Sequence, residues 1–295
     1  MPKFMKKNAY LFIYPMLTIA FIGMIKYLWI NFSSILLSFS VENEFGEQIY
    51  TFANFERLFA EFKNSDSEIW KALVNTLKYF FMYTGKTLVS FVVAYFLYKK
   101  IWGYKAYRVI FYLPSIVSPI ILVGVWDSML STGGAFELVA TNLFGAEEYS
   151  NPLVNAATST NVILIFSFWV GFGTSLLMFV GAMNRVPEEI LDAGLIDGCG
   201  MWKEFFKIMV PLTWETLSTM ILLTTMSVFT ASGPILYFTG GQHNTNTLSF
   251  WIFNQTRGGI YNYPSAVGLF FTIAALPIVV VCRWLTNKVN SDITY

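Results

Sequence analysis

Long apolar runs alternate along this chain with shorter segments that gather the charge. Six runs stand out: Ala9 to Leu37, Ala72 to Tyr98, Ala106 to Leu130, Asn161 to Ala182, Leu212 to Phe238 and Ser265 to Leu285. A helix crossing the hydrocarbon core needs about 20 mainly apolar residues. Backbone polar groups in lipid must be satisfied internally, which only helices and closed barrels achieve. Barrel strands are about 10 residues long and alternate in polarity, and these runs are longer and do not alternate. The pattern predicts an all-α integral membrane protein with six transmembrane helices.

Composition agrees with the pattern. Apolar residues make up 55% of the chain and charged residues 13%, against about 25% charged in a soluble domain. A net charge of +1 offers no basic excess for nucleic acid, so the partners expected are lipid and protein. Two cysteines, Cys199 and Cys282, are too few for a disulfide framework. The basic start, Met1 to Lys7, leads into an apolar run that continues past a signal peptide's usual length with no small-residue cleavage site, which reads as an uncleaved first span.

Lysine and arginine set the orientation, because they concentrate in cytoplasmic loops. With the N-terminus inside, the cytoplasmic segments hold Lys3, Lys6, Lys7, Lys99, Lys100, Lys105, Arg108, Arg185, Lys203, Lys207, Arg283 and Lys288, and the external ones only Arg57, Lys63, Lys71 and Arg257. Both termini are then cytoplasmic, in a multi-pass protein of a cell membrane. The first external loop is acidic, with Glu42, Glu44, Glu47, Glu56, Glu61, Asp66 and Glu68. Three parts follow: residues 1–71, the first helix and acidic loop; 72–287, a core of five helices; and 288–295, a cytoplasmic tail.

The segment from Met183 to Pro211 is the most informative. Pro187 suits the first turn of a helix, and Glu188, Glu189 and Asp192 follow where the helix dipole favours carboxylates. Gly198 and Gly200 offer the positive φ that ends a helix, and a second, amphipathic helix begins near Met201, with Trp202, Phe205, Phe206 and Ile208. On the first helix Ala193 and Gly194 are small, beside apolar Ile190, Leu191, Leu195 and Ile196. Small residues among exposed apolar ones let another surface approach closely. Two readings follow from the residues alone: a docking helix for a cytoplasmic partner, or an interfacial helix resting on lipid headgroups.

The run Asp192-Ala193-Gly194, then Asp197-Gly198, then Phe206, Ile208 and Pro211 resembles the EAA loop of ABC importer permeases, Glu-Ala-Ala followed at fixed spacing by Asp-Gly-Ala and then by Phe, Ile and Leu-Pro. Asp192, Gly194 and Cys199 depart from that pattern while keeping charge or small size. Phe111 to Pro119, Trp169 to Gly173 and Thr239 to Gly241 are similar to segments of carbohydrate permeases of the maltose-transporter type. The resemblance implies the type I importer permease fold, six helices with the coupling loop between helices 4 and 5.

The same resemblance implies a machine of several chains. It comprises a second permease in a heterodimer, two cytoplasmic ABC ATPase subunits and an external solute-binding protein, with an oligosaccharide as cargo. The chain itself would be no enzyme and hold no cofactor; ATP and Mg would be bound by the partner ATPase. Glu188, Glu189, Asp192, Ala193, Gly194, Asp197 and Gly198 would couple to that ATPase, and Ser167, Gly171 and Thr174 would line the substrate path, with the matching stretch of the fifth span running from Ser227 to Ser232 and including Thr230. Trp169 and Phe229 would supply flat faces for sugar rings.

The rival readings are an importer for a polyol phosphate or a peptide, an ion-driven secondary transporter, and a membrane-embedded enzyme. An ion-driven carrier would show inverted repeats and broken helices at mid-membrane, and no such repeat is visible. His243 is the only histidine, and no metal-ligand cluster or nucleophile–base pair is visible. Gly85-Lys86-Thr87 imitates the end of a phosphate-binding loop, but the first glycine that loop requires falls on Phe80. Lys86, near the middle of the second span, must face the bundle interior or a wet cavity. It either pairs with an internal carboxylate or carbonyl, the favoured role, or meets an acidic sugar in the path. Asp127 reads as a solvated helix end, and Lys26 and Lys78 as snorkelling side chains.

Overall fold

The structure, a computed structural model, describes residues 9–43, 45, 47–144, 149–230 and 232–291. Lys3, Lys6, Lys7, Glu44 and the last four residues of the expected tail lie outside the described residues. In chain order the elements are α1 (Ala9–Ser38), a hairpin of β1 (Ser40–Glu42) and β2 (Gln48–Tyr50), α2 (Ala53–Phe62), α3 (Glu68–Tyr98), α4 (Tyr104–Ile116), α5 (Pro119–Leu130), α6 (Ala135–Phe144), α7 (Ser159–Met183) and α8 (Glu188–Ile196). Then come α9 (Met201–Leu212), α10 (Trp214–Met226), α11 (Ile235–Phe238), α12 (Leu248–Arg257) and α13 (Asn262–Ser291).

Among the described residues five stretches are long and apolar enough to cross a membrane: Tyr14–Ser38, Glu68–Tyr98, Pro119–Leu143, Ser159–Met183 and Asn262–Lys288. A sixth is reached by taking α9 and α10, bent by 73° at their junction, as one broken span. Two of the expected spans are therefore not continuous helices. The run Ala106 to Leu130 is interrupted where Val117 and Ser118 become extended, with ψ of 145° and 129°. Pro119 causes this, since proline pushes the residue before it out of the helical region.

The fifth run departs further from the expected Leu212 to Phe238. Its helix starts earlier, at Met201, and widens to a π-helical turn over Phe205–Met209 just before Pro211. A helical proline has no N–H to donate to the preceding turn, and π-turns and prolines are the usual sites of sharp bends. Thr213 sits at the corner, its hydroxyl donating to Met209 O at 2.7 Å. The helix then stops at Met226, and the chain turns through 227–230 and through Gly233, at φ +53°, into Pro234.

The chain divides into two compact units. One comprises residues up to Lys63 together with Asn254–Phe270. In it the buried Asn54 amide donates to Ser38 O and Ser40 O at 3.1 and 2.9 Å, fixing α2 to the end of α1. Phe270 meets the rings of Phe59 and Phe62, and the Arg57 guanidinium lies 4.0 Å over the ring of Tyr263.

The other unit, Asn64–Phe253 with Phe271 onward, holds the main core. Helix α3 starts on Ser67, whose hydroxyl accepts from Trp70 N, and runs along α7, which also carries α4. Their seam is filled by Phe91, Leu176, Phe179, Phe172 and Met183, with Phe91 edge-on to Phe179 and Phe205 of α9 tilted against Phe91 and Tyr95. Between helices in lipid, close packing supplies much of the attraction, and each aromatic pair adds about 0.5–1.5 kcal/mol beyond area. The segment before α12 is tied to α3: Asn75 donates to Asn244 O and Asn246 O, and Leu248 N to Thr76 Oγ1. His243 contributes its carbonyl to Ser159, at 2.8 Å.

Candidate functional site

Two helices bring a polar stripe together in the middle of the apolar bundle. On α7 the stripe is Ser167, Gly171 and Thr174; on α3 it is Tyr79, Tyr83 and Lys86. Both sets step by four and then three residues, the spacing that keeps side chains on one helix face. Of the α3 half the sequence points to Lys86 but not to Tyr79 and Tyr83, because tyrosines in an apolar run read as packing residues. Their spacing from Lys86 is the signal that could have found them.

Lys86 sits between the two halves. Its Nζ lies 4.9 Å from the centroid of the Tyr83 ring, a cation–π distance. A methyl group at Gly171 would come within 2.6 Å of that nitrogen, so the glycine makes room for the ammonium. The carboxylate or carbonyl partner favoured from the sequence is not there: among the described residues Lys86 makes no ion pair and no hydrogen bond. The facing helices explain why, since α7 has no Asp or Glu, α3 none after Glu68 and α10 none after Glu215. An uncompensated lysine at mid-membrane costs about 2.5–3.5 kcal/mol on insertion scales, so a stripe that retains one is a functional candidate.

Tyr79 is fully buried, and its hydroxyl has no hydrogen-bond partner. Ser167 is its neighbour, but the Ser167 hydroxyl donates within its own helix to Ile163 O at 2.8 Å. Gly233 presses on the same ring, where a methyl group would lie 2.8 Å from Tyr79 Cε1. Thr87 and Thr224 hydroxyls meet at 3.3 Å and join α3 to α10.

The other expected path residues fall away from this stripe. Trp169 stacks on Trp126 at 5.8 Å, inside an aromatic group with Phe166. Ser227 and Thr230 donate to Thr224 O and Ser227 O, using their hydroxyls to close the turn after α10. Phe229 lies 5.3 Å from Phe271, and Ser232 is half-buried just before Gly233. Thr174, by contrast, belongs to the stripe; it is exposed and donates to Gly171 O. Asp127 is exposed, as expected of a helix end.

A second place of interest is α8. Glu188, Glu189, Asp192, Ala193, Asp197 and Gly198 are all exposed. Pro187 precedes the helix as its cap, and the two glutamates occupy the first turn. Gly198 stands at φ +70°, with Gly198 N donating to Leu195 O and Cys199 N to Gly194 O, the two bonds of a Schellman ending. Gly200 does not share that role; its φ is −70°, and it caps the start of α9.

Gly194 corrects another expectation, that its small size leaves room for a foreign surface. It is buried, and a methyl group there would lie 2.6 Å from Ile208 Cδ1 of α9. Its smallness serves close packing of α8 on α9. What α8 offers outward is Leu195, 68% exposed, and Ile196, 86% exposed.

Behind α8 lies a cleft of about 340 Å³ lined by Tyr98, Lys99, Asn184, Glu188, Asp192 and Leu195 among others. At its wall Lys99 donates to both carboxylate oxygens of Glu204 at 3.0 Å. The Tyr95 hydroxyl lies 2.9 Å from Met201 O and 3.2 Å from Glu204 Oε1 and donates between them. The end of α3 is thus bonded to the start of α9. Glu204 was missed from the sequence, though a lone carboxylate among Trp202, Phe205 and Phe206 demands a partner. No cluster of three or more metal-ligating side chains occurs among the described residues.

Residues 73–295 match the family described as binding-protein-dependent transport system inner membrane component. The alpha-glucoside transport system permease protein AglF of Rhizobium meliloti is 28% identical over 120 residues, 40% of this chain and 36% of that protein, so the match spans little more than a third of it. The sn-glycerol-3-phosphate transport system permease protein UgpA of Escherichia coli is 25% identical over 290 residues, 95% of each chain. Among solved structures, a chain of the bacterial alginate ABC transporter in complex with alginate pentasaccharide-bound periplasmic protein superimposes with a TM-score of 0.79 at 19% identity, covering 98% of this chain and 97% of that one. At that identity the likeness establishes the fold, that of an ABC importer permease.

Proposed function

Because this chain belongs to the binding-protein-dependent transport system inner membrane component family, we propose that it is a permease subunit of an ATP-driven carbohydrate importer in a bacterial cell membrane. Both termini are then cytoplasmic. A second permease completes the pathway, two ABC ATPase subunits bind ATP and Mg on the inner side, and an external solute-binding protein delivers the solute.

The observation that carries this reading is α8. It presents Leu195 and Ile196 outward while Gly194 and Leu191 hold it against α9 and the core. A helix so fixed moves with the spans as a rigid body, which is what transmitting ATPase closure requires. The seven coupling residues, Glu188, Glu189, Asp192, Ala193, Gly194, Asp197 and Gly198, belong to this unit, with Gly194 acting from inside it. The path is assigned to Ser167, Gly171, Thr174 and Lys86, joined by Tyr83, with Ser227, Phe229, Thr230 and Ser232 beyond α10 and Trp169 in the supporting wall.

An oligosaccharide as cargo is supported by the alpha-glucoside permease and the alginate transporter among the similar proteins. A polyol phosphate is the second reading, favoured by the glycerol-phosphate permease that matches almost end to end. The test is co-purification of the complete transporter carrying Leu195→Asp and Ile196→Asp together. Recovered ATPase is expected to fall at least tenfold while the chain stays in the membrane. Undiminished recovery with normal uptake contradicts the reading.

A further inference from the structure

We propose that the solute carries an anionic group, a carboxylate or a phosphate, and that Lys86 is the side chain that recognises it; this deepens the importer reading above and rests on it. Lys86 lies twelve residues before α3 ends at Tyr98, about 18 Å along the axis and beyond what its four-carbon stem can span to reach water. Among the described residues Lys86 has no ion-pair partner, and Asp and Glu are absent from the facing stretches of α3, α7 and α10. It does supply space, through Gly171, and a ring face, through Tyr83.

The neighbourhood is built for a polar visitor. The Tyr79 hydroxyl is buried without a partner two steps along the same face, and buried polar groups ordinarily have one. Tyr83 lies between that hydroxyl and the ammonium, its ring 6.0 Å from the ring of Tyr79. A solute with hydroxyls beside an anionic group would answer the Tyr79 oxygen and the Lys86 charge together. A neutral solute would leave the charge uncompensated. Lysine is a compact point charge suited to carboxylate and phosphate alike, so the chemistry shared by the two is what the site selects.

The experiment uses the complete transporter in membranes, as wild type, Lys86→Met and Lys86→Arg. Uptake per inserted protein is measured for a uronate oligosaccharide, sn-glycerol 3-phosphate and a neutral maltooligosaccharide. The expected result is uptake of at least one anionic probe, a fall of tenfold or more in Lys86→Met, and retention of most uptake in Lys86→Arg. Which anionic probe is taken up separates carboxylate from phosphate. Uptake of the neutral probe alone overturns the proposal and leaves the importer reading standing. Equal loss of every transported probe in Lys86→Met overturns it too, since the lysine is then structural, and so does anionic uptake unchanged in that variant. Failure of wild type to move any of the three overturns both readings.

Discussion

Lys99 and Glu204 lie 105 positions apart in the chain and meet as an ion pair, with Lys99 Nζ 3.0 Å from each carboxylate oxygen. The Glu204 side chain is 5% exposed and that of Lys99 31%. The pair, with Tyr95, fixes the start of α9 to the end of α3, and α8 is packed on α9. Removing one partner of a buried pair costs about 3–5 kcal/mol, because the other charge is left stranded. With Lys99 partly wet the expected cost of Lys99→Met is about 2 kcal/mol. Thermal unfolding of the purified complex measures it. The double variant Lys99→Met with Glu204→Met should recover most of the loss, and a cost equal to the sum of the single variants contradicts the strut.

Gly198 ends α8 at φ +70°, where a side chain, above all a β-branched one, is strained. Gly198→Val should cost about 1–2 kcal/mol and tilt the helix end that carries Leu195 and Ile196. The expected outcome is a chain inserted at normal level whose uptake falls severalfold while ATP hydrolysis continues. Gly198→Asn, which tolerates that backbone region, should retain most uptake. Wild-type uptake by Gly198→Val at normal level speaks against the geometry.

Gly194 and Ile208 are complementary in size. Gly194→Leu places atoms where Ile208 Cδ1 now sits, and overpacking of this kind costs about 1–3 kcal/mol. Adding Ile208→Ala opens the space and should restore uptake partly. Equal impairment of the single and double variants shows that Gly194 is small for some other reason.

Tyr79→Phe removes a buried hydroxyl that has no partner. A polar group buried without a hydrogen bond destabilises by about 1–3 kcal/mol, so the variant should unfold at an equal or higher temperature than wild type. Uptake should fall nonetheless, because the hydroxyl is assigned to the solute. A clear loss of stability would mean that the hydroxyl is bonded in the resting protein.

The spans were legible in the sequence because lipid demands length and apolarity, and both are counted directly. Their breaks were not, although Pro119, Pro211 and the Gly233-Pro234 pair cause them. Within an apolar run a proline is compatible with a kinked helix as well as with a break, and only neighbouring contacts decide between the two. Ser167, Gly171 and Thr174 were reached through the family resemblance and Lys86 through its charge in an apolar run, while Tyr79 and Tyr83 were hidden by the ordinary abundance of aromatics in such helices. Gly194 was noticed for its size, but the side it serves depends on where Ile208 falls, which no local pattern records. The Lys99–Glu204 pair joins residues too distant in the chain for spacing to connect.

The central claim is that α8 grips a separate ATPase on the inner side of the membrane. The most direct measurement places a single thiol at its most exposed apolar position, Ile196→Cys with Cys199→Ser and Cys282→Ser, and asks what it reaches. The account predicts cross-linking to the co-expressed ATPase, together with labelling by a membrane-impermeant thiol reagent in inverted vesicles and none in intact cells. Labelling from outside intact cells, or uphill solute uptake by the purified chain with no ATPase present, would contradict it.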